Sequence, residues 1–440
     1  MLGASLKLAF YHPHPSLQTP WNLTQIGLLI FPLSPFLGGV SILLAALITC
    51  HKQYHRIMHR PLNWGFGVLS LLLIISSAVA DEKTQAFLGL FNLLPFFVVF
   101  AGLSSLIKTT AQLRQIGAIF VIGSVPVVIM GFGQMFWGWS FQLQVLWILL
   151  DLGLSAGGVP PGRMSSIFMH ANLLAAYLAI AFTLGLGLWL ERWSLRDRNN
   201  TYFIFLSVSV ITSFIALIFT DSRNGWVMGI IACLAYALYQ GWHIIVGSVT
   251  AIITSVLLAA FAPSPVAETF RRFVPAYFWA RLNDQMYPDR PVALMRTTQW
   301  EFAWSLTQQK PWTGWGLRSF SDLYKAQMQI DLGHPHNLFL MLSAETGLPI
   351  ALLFFGCLGW IWFAGVQLLQ KPKYLDKKDK LIFFSYIVVI LQWLIFNTVD
   401  VTLFDFRLNT ISWLFFSALW GVVYSSSRLH RYGEEFIDHR

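Results

Sequence analysis

Charge is scarce in this chain of 440 residues: only 11% are Asp, Glu, Lys or Arg, against about 25% in a soluble domain. That scarcity excludes an ordinary soluble protein. With 56% hydrophobic residues and a mean hydropathy of +0.61, the solvent implied is lipid. Cysteine is scarcer still. Cys50, Cys233 and Cys357 each lie in or beside an apolar stretch, and an odd set of this kind builds neither a disulfide framework nor a zinc site. No low-complexity tract or internal repeat of 20–50 residues is present, which excludes solenoids and arrays. An inverted repeat of the transporter kind is not visible either. The first 20 residues hold two His-Pro pairs and no apolar core of a leader, so no cleavable signal peptide is expected. The net charge of +9 sits mainly in short loops, which makes it a determinant of topology rather than a nucleic-acid surface.

What is abundant is apolar length. A membrane span needs about 20 such residues. Candidate stretches are 23–49, 62–80, 86–107, 115–136, 167–190, 201–220, 224–240, 244–262, 337–368, 381–398 and 406–425. The first contains Pro32 and Pro35, so it is either one kinked helix or two broken ones, and the total is 11 or 12. Many of the 19 Trp and 37 Phe lie near the ends of these stretches, where interfacial aromatics belong. The expectation is an all-α polytopic membrane protein, one transmembrane domain over 1–440. Basic residues mark one side: Lys52, Arg56 and Arg60; Arg192, Arg196 and Arg198; Lys371, Lys373, Lys377, Lys378 and Lys380; Arg428, Arg431 and Arg440. The positive-inside rule makes that side cytoplasmic. The other side receives 81–85, 137–166, 221–223, 263–336 and 399–405. The stretch 263–336 is a large external loop subdomain, in which 293–309 reads as an amphipathic helix and Pro311–Gly316 as a turn.

Unusual polar residues collect on that outer side. Arg223 lies in the short turn Thr220–Gly225 between two apolar helices, either as an interfacial cation that snorkels to water or as part of a tight polar site. Arg163 follows Pro160-Pro161-Gly162, just before a helix that opens with His170 and Asn172. Arg296 lies in the long loop, where an arginine is ordinarily a solvated charge. His334-Pro335-His336-Asn337 stands at the mouth of an apolar helix, and Glu345 lies two turns further in, where an acid needs a partner. The two histidines with Asp331 are a conceivable metal set, but the spacing matches no common zinc signature. Asp400, Asp405 and Arg407 also face this side, where they either bind acceptor sugar or pair with one another; pairing is the first expectation.

One chemistry uses these parts. Guanidinium groups bind phosphate oxygens bidentately and keep their charge. An imidazole accepts a proton near neutrality. Apolar helices suit a long lipid tail. Together they point to group transfer from a lipid-linked pyrophosphate. No Asp-rich motif for Mg²⁺ appears on that side, so no metal and no cofactor is expected.

At these residues the chain resembles the O-antigen ligase and O-antigen polymerase superfamily of bacterial membrane glycan transferases. Arg163–Asn172 looks like the segment opening the family core, and Ser222-Arg223-Asn224-Gly225 like its Ser-Arg-Gly turn. Pro311-Trp312-Thr313-Gly314-Trp315-Gly316 looks like its Pro-x-x-Gly-x-Gly element. His334–Asn337 with Glu345-Thr346-Gly347 looks like its His-Asn…Glu-x-Gly element. The likeness covers roughly 160–350. Two departures stand out: His170-Ala171-Asn172 replaces the usual Asn-Pro-Asn, and Asn224 stands where Gly is common. The resemblance implies a 12-span fold in the bacterial inner membrane with its site on the periplasmic face. It also implies an undecaprenyl-pyrophosphate-linked glycan donor and metal-independent, inverting transfer. Carried over by position, His336 is the base and Arg223 and Arg296 contact the pyrophosphate, with Arg163, His334, Asn337 and Glu345 as further substrate contacts. A lipid A–core acceptor would make the protein a ligase, and a second lipid-linked glycan would make it a polymerase; the His-x-His-Asn element favours the ligase. The rival class is a small-anion transporter of the bicarbonate kind, which would use Arg223 and Arg163 but has no evident use for a loop histidine.

Overall fold

The computed structural model of the chain describes residues 10–145, 150–195, 201–283, 285–286, 291–371 and 375–438. Each apolar stretch is helical. The helices are α1 (Gln18–Ile30), α2 (Pro35–Lys52), α3 (Pro61–Val79), α4 (Lys83–Leu106), α5 (Thr110–Phe136), α6 (Ala171–Ser194), α7 (Thr201–Phe219), α8 (Arg223–Tyr239) and α9 (His243–Phe261). There follow α10 (Ser264–Arg271), α11 (Ala276–Leu282), α12 (Arg296–Gln309), α13 (Ser319–Met328), α14 (Leu338–Thr346), α15 (Leu348–Gln370), α16 (Lys380–Phe396) and α17 (Phe406–Asp438). Among the described residues, nine helices are long and apolar enough to cross a membrane: α2 to α7, α9, α15 and the 406–427 part of α17. The shorter α1, α8 and α16 pack with them.

Local chemistry sets the helix boundaries. Ser34 caps α2 and Pro35 occupies its first turn, where the missing N–H costs nothing. The 23–49 stretch is therefore two helices rather than one. They pack closely because Gly38 faces Gly27, where an added Cβ would sit 2.7 Å from the Gly27 carbonyl oxygen. Thr109 and Gln112 form a capping box at the start of α5. The most enclosed spans are α6, buried over 83% of its apolar window, and 406–427, buried over 89%; α9, at 11%, lies outermost. The bundle is thus built around α6 and α17.

One expectation needs correction. The stretch 337–368 is not one span: Gly347, at φ +86°, separates α14 from α15, and α15 alone has membrane length. The fold is all-α and polytopic as expected, with one short hairpin in which Phe141–Val145 (β1) and Leu150–Leu154 (β2) pair antiparallel, Phe141 opposite Leu154. Within 263–336, α12 occupies the predicted amphipathic segment. It packs with α13 around Phe302, Leu306, Phe320 and Tyr324. The Pro311–Gly316 turn is stitched to the α14–α15 break: Trp315 N–H donates to Ala344 O (3.0 Å), Gly316 N–H to Glu345 O (2.8 Å) and Leu348 N–H to Pro311 O (2.8 Å).

At the far end of α6 from His170, Arg114 of α5 pairs with Glu191 of α6 at 2.7 Å and with Asp379, beside the start of α16, at 2.8 Å. Of the basic residues that mark this end, Arg196, Arg198, Lys373 and Arg440 lie outside the described residues.

Candidate functional site

The His334–Asn337 turn is built against the α16–α17 connection. Asn337 caps α14 by accepting the Leu340 N–H (3.0 Å) and donates its amide to Thr398 O (3.0 Å). Leu338 N–H donates to Asn397 O at 2.8 Å. Both ends of the Asn337 amide are thus engaged in holding the turn. His336 has φ +51°, a conformation uncommon outside glycine, and its N–H donates to His334 Nδ1 at 3.2 Å. The result is that His336 Nδ1 lies 3.1 Å from Asp400 Oδ1. The two imidazoles meet edge to face with centroids 4.5 Å apart, and His334 stacks on Phe404.

Asp400 is the hub of this site. Its carboxylate also accepts the Val401 N–H (2.9 Å) and the Asn172 amide (3.2 Å). Asn172 accepts from Arg163 Nη2 at 2.7 Å, and Arg163 Nε donates to Thr220 O at 2.9 Å. A continuous hydrogen-bonded chain therefore runs from Arg163 through Asn172 and Asp400 to His336. His170 caps α6 beside it and accepts the Asn172 N–H.

The charges fit this wiring. Burial alone would raise the Asp400 pKa, but the His336 hydrogen bond, the His336 and His334 charges and the Val401 amide hold it below the usual carboxylate range. Desolvation pushes His334 down to about 4, and the His336 and Arg296 charges push the same way. His170 is lowered chiefly by burial and then by the Arg163 charge. His334 is thus neutral near pH 7, and Asp400 is ionised.

The expected site residues divide into two groups. His334, His336, Asn337 and Arg163 come together, and the Arg296 charge reaches His334 from the start of α12. Arg223 opens α8 on the same turn as Asn224, whose amide is 3.5 Å from Val399 O, but its guanidinium donates to Arg281 O in α11. Arg281 in turn pairs with Asp221, Nη2 to Oδ2, at 2.7 Å. Glu345 does not join them. It lies at the other end of α14, fully buried, with Oε1 3.4 Å from the Phe320 N–H at the start of α13. Asp331 pairs with Lys325 at 2.8 Å, away from the histidines. Of the expected Asp400–Asp405–Arg407 pairing only the Asp405–Arg407 part forms, through their opposite charges: Asp400 goes to His336, Asp405 also accepts the Leu408 N–H, and Arg407 lies over Phe168 and donates to Ile167 O. Donor atoms of His334, His336 and Asp400 all fall within 4.8 Å of one another, the spacing of a set able to hold a metal ion.

Membrane-length helices with a His–Asp pair and an arginine wired into it at one end define a multi-pass membrane protein with a polar site at the membrane edge. Residues 208–355, about a third of the chain, match the family model described as O-antigen ligase. The matched region holds Arg223, Arg296, His334 and His336; Arg163, Asn172 and Asp400 lie outside it. No curated protein matches the chain.

Proposed function

We propose that this protein transfers a glycan from undecaprenyl pyrophosphate to a sugar hydroxyl of lipid A–core, on the periplasmic face of the bacterial inner membrane. The observation that carries this reading is the 3.1 Å contact between His336 Nδ1 and Asp400. An Nδ1–H donated to the carboxylate leaves the Nε2 lone pair to accept a proton. The acceptor hydroxyl attacks the anomeric carbon, its proton passes to His336 Nε2, and the bond from that carbon to the pyrophosphate oxygen breaks. The electron pair leaves with undecaprenyl pyrophosphate, and a single displacement inverts the anomeric centre. Arg163, Arg296 and Arg223 supply the cations for the departing pyrophosphate. Asn337 and His334 shape the turn that presents the base. The apolar helices around the site end accommodate the prenyl chain.

The test supplies the purified protein with lipid-linked glycan and lipid A–core and measures released undecaprenyl pyrophosphate. His336→Ala is expected to slow release by about 10²–10⁴-fold, the usual worth of a general base. Equal release by both proteins removes His336 from the chemistry. Replacing lipid A–core by a second lipid-linked glycan separates ligase from polymerase, because only a polymerase elongates it.

A further inference from the structure

The two histidines and the buried acid form a donor set that proton transfer alone does not exhaust. In the sequence, Asp331 is the acid nearest His334 and His336. The fold sends Asp331 to Lys325 and brings up Asp400 instead, because the His334–Asn337 turn is tied to the α16–α17 connection. Nδ1 of His336 lies 3.1 Å from Asp400 Oδ1, and a ring nitrogen of His334 completes a set whose atoms all fall within 4.8 Å of one another. Ligand atoms on a tetrahedral zinc ion, each about 2.0–2.2 Å from it, are about 3.3 Å apart. His336 and Asp400 already have that spacing. A swing of the His334 ring by about 1.5 Å closes the third side.

The chemistry of the set is specific. Two imidazoles and one carboxylate are the donors of zinc sites that keep a fourth position open. Imidazole nitrogen suits zinc and its neighbours, whereas Mg²⁺ takes oxygen donors. Asp400 is also held from behind: its Oδ2 accepts the Asn172 amide at 3.2 Å, the kind of outer partner that orients a ligating carboxylate. The Asp400 side chain is 9% exposed and that of His336 28%. The set is therefore closed on the acid's side and open to an entering ion on the imidazole's.

We infer that His334, His336 and Asp400 form a site for a divalent ion of the zinc kind, and that this ion switches the transferase off. The second half rests on the transfer proposed above; the first does not. A neutral imidazole carries one N–H. When the ion takes Nδ1, the proton there leaves to water and Nε2 takes one up, with no net change in the protons on the ring. The Nε2 lone pair that accepts the proton of the attacking hydroxyl is then gone. Ion and base function compete for the same ring.

The experiment titrates the full-length protein, free of any histidine tag, with Zn²⁺ in detergent. Affinity is read by competition with a chromophoric chelator, and the ligands by X-ray absorption of the zinc-loaded protein. A single tight site with two imidazole ligands is expected, and excess Mg²⁺ is expected not to displace the ion. His334→Ala and Asp400→Asn should each weaken binding by more than the roughly 10–100-fold that loss of an outer partner costs. His55→Ala/His59→Ala removes an exposed histidine pair one helical turn apart between α2 and α3, and should alter neither binding nor transfer. Binding that survives Asp400→Asn but is lost with His55 and His59 would overturn the site. So would a zinc spectrum without imidazole in the natural protein, a reading independent of how any variant folds. Release of undecaprenyl pyrophosphate is expected to fall in step with Zn²⁺ occupancy and to return with chelator. Full release at full occupancy, or release that requires Zn²⁺, would overturn the switch. No release with or without the ion would remove the transfer reading and leave the site standing.

Discussion

Asp400 lies against His336 Nδ1, and the influence the proposed reaction gives it is open to measurement. In the proposed reaction it is a positioning residue that holds the imidazole tautomer and orientation, so Asp400→Asn is expected to lower kcat by about 10²-fold or more while the donor KM changes little. Asp400→Glu is expected to recover part of the loss. A merely structural role would instead alter KM and stability together and leave kcat per folded protein unchanged. The carboxylate also links stability to pH. Its folded pKa lies below the ordinary 3.8, so between the two values the unfolded chain binds the extra proton. The stabilisation is present at neutral pH and lost as pH falls through the folded pKa. The gap in unfolding midpoint between the natural protein and Asp400→Asn is therefore expected to narrow as pH drops from about 5 to 3; a gap constant with pH would contradict the assigned shift. At this scale the sequence was half legible. His336 and Arg163 stood out as polar groups at apolar helix mouths. Their wiring did not, because Asp400 is 64 residues from His336 in the chain and an acid at a helix mouth does not name its partner.

The break between α14 and α15 shows how one element sets another in place. Gly314, at φ +67°, brings the Pro311–Gly316 turn so close to α14 that a Cβ would sit 2.4 Å from the Glu345 carbonyl carbon and oxygen. Gly314→Ala is expected to cost at least the 1–3 kcal/mol of a strained backbone residue, and to loosen α12 and α13 together. Thermal unfolding and protease sensitivity within 296–328 check this, and a midpoint unchanged from the natural protein would remove the stitch from the stability of the fold. Glu345→Ala belongs to the same junction. It takes away the acceptor at the start of α13 and is expected to cost about 1–3 kcal/mol. The turn was legible from Pro311, Gly314 and Gly316, whose backbone preferences are local. The break at Gly347 was not, because hydropathy runs on through 337–368 and a lone glycine inside an apolar helix is often tolerated. The β1–β2 hairpin carried a period-2 signal in Phe141-Gln142-Leu143-Gln144-Val145, which the membrane composition of the rest of the chain obscured.

Across the whole molecule, span positions followed from the lengths of the apolar runs, since lipid leaves the backbone no alternative to helix. Which helix ends meet did not follow, because lipid-facing and buried faces of a membrane helix are alike in hydropathy. Arg114, Glu191 and Asp379 show the consequence: three charges far apart in sequence tie α5, α6 and α16 at one end. Arg114→Ala leaves two carboxylates facing each other and is expected to cost about 3 kcal/mol, read as a lowered unfolding midpoint. Transferase activity well below that midpoint should persist, because the triad lies at the opposite end from His336. The proposed chemistry also requires a sidedness, since both substrates must reach the same face. Trp312, 78% exposed, lies on the turn joined to α14, and Lys378, with a side chain 70% exposed, lies beside Arg114 at the other end. With Cys50, Cys233 and Cys357 replaced by Ala, Trp312→Cys is expected to react with an impermeant maleimide in cells whose outer membrane alone has been opened. Lys378→Cys should react only once the inner membrane is breached as well. The reverse pattern would place His336 on the cytoplasmic side, and the basic loops would then have misdirected the positive-inside assignment on which the periplasmic acceptor depends.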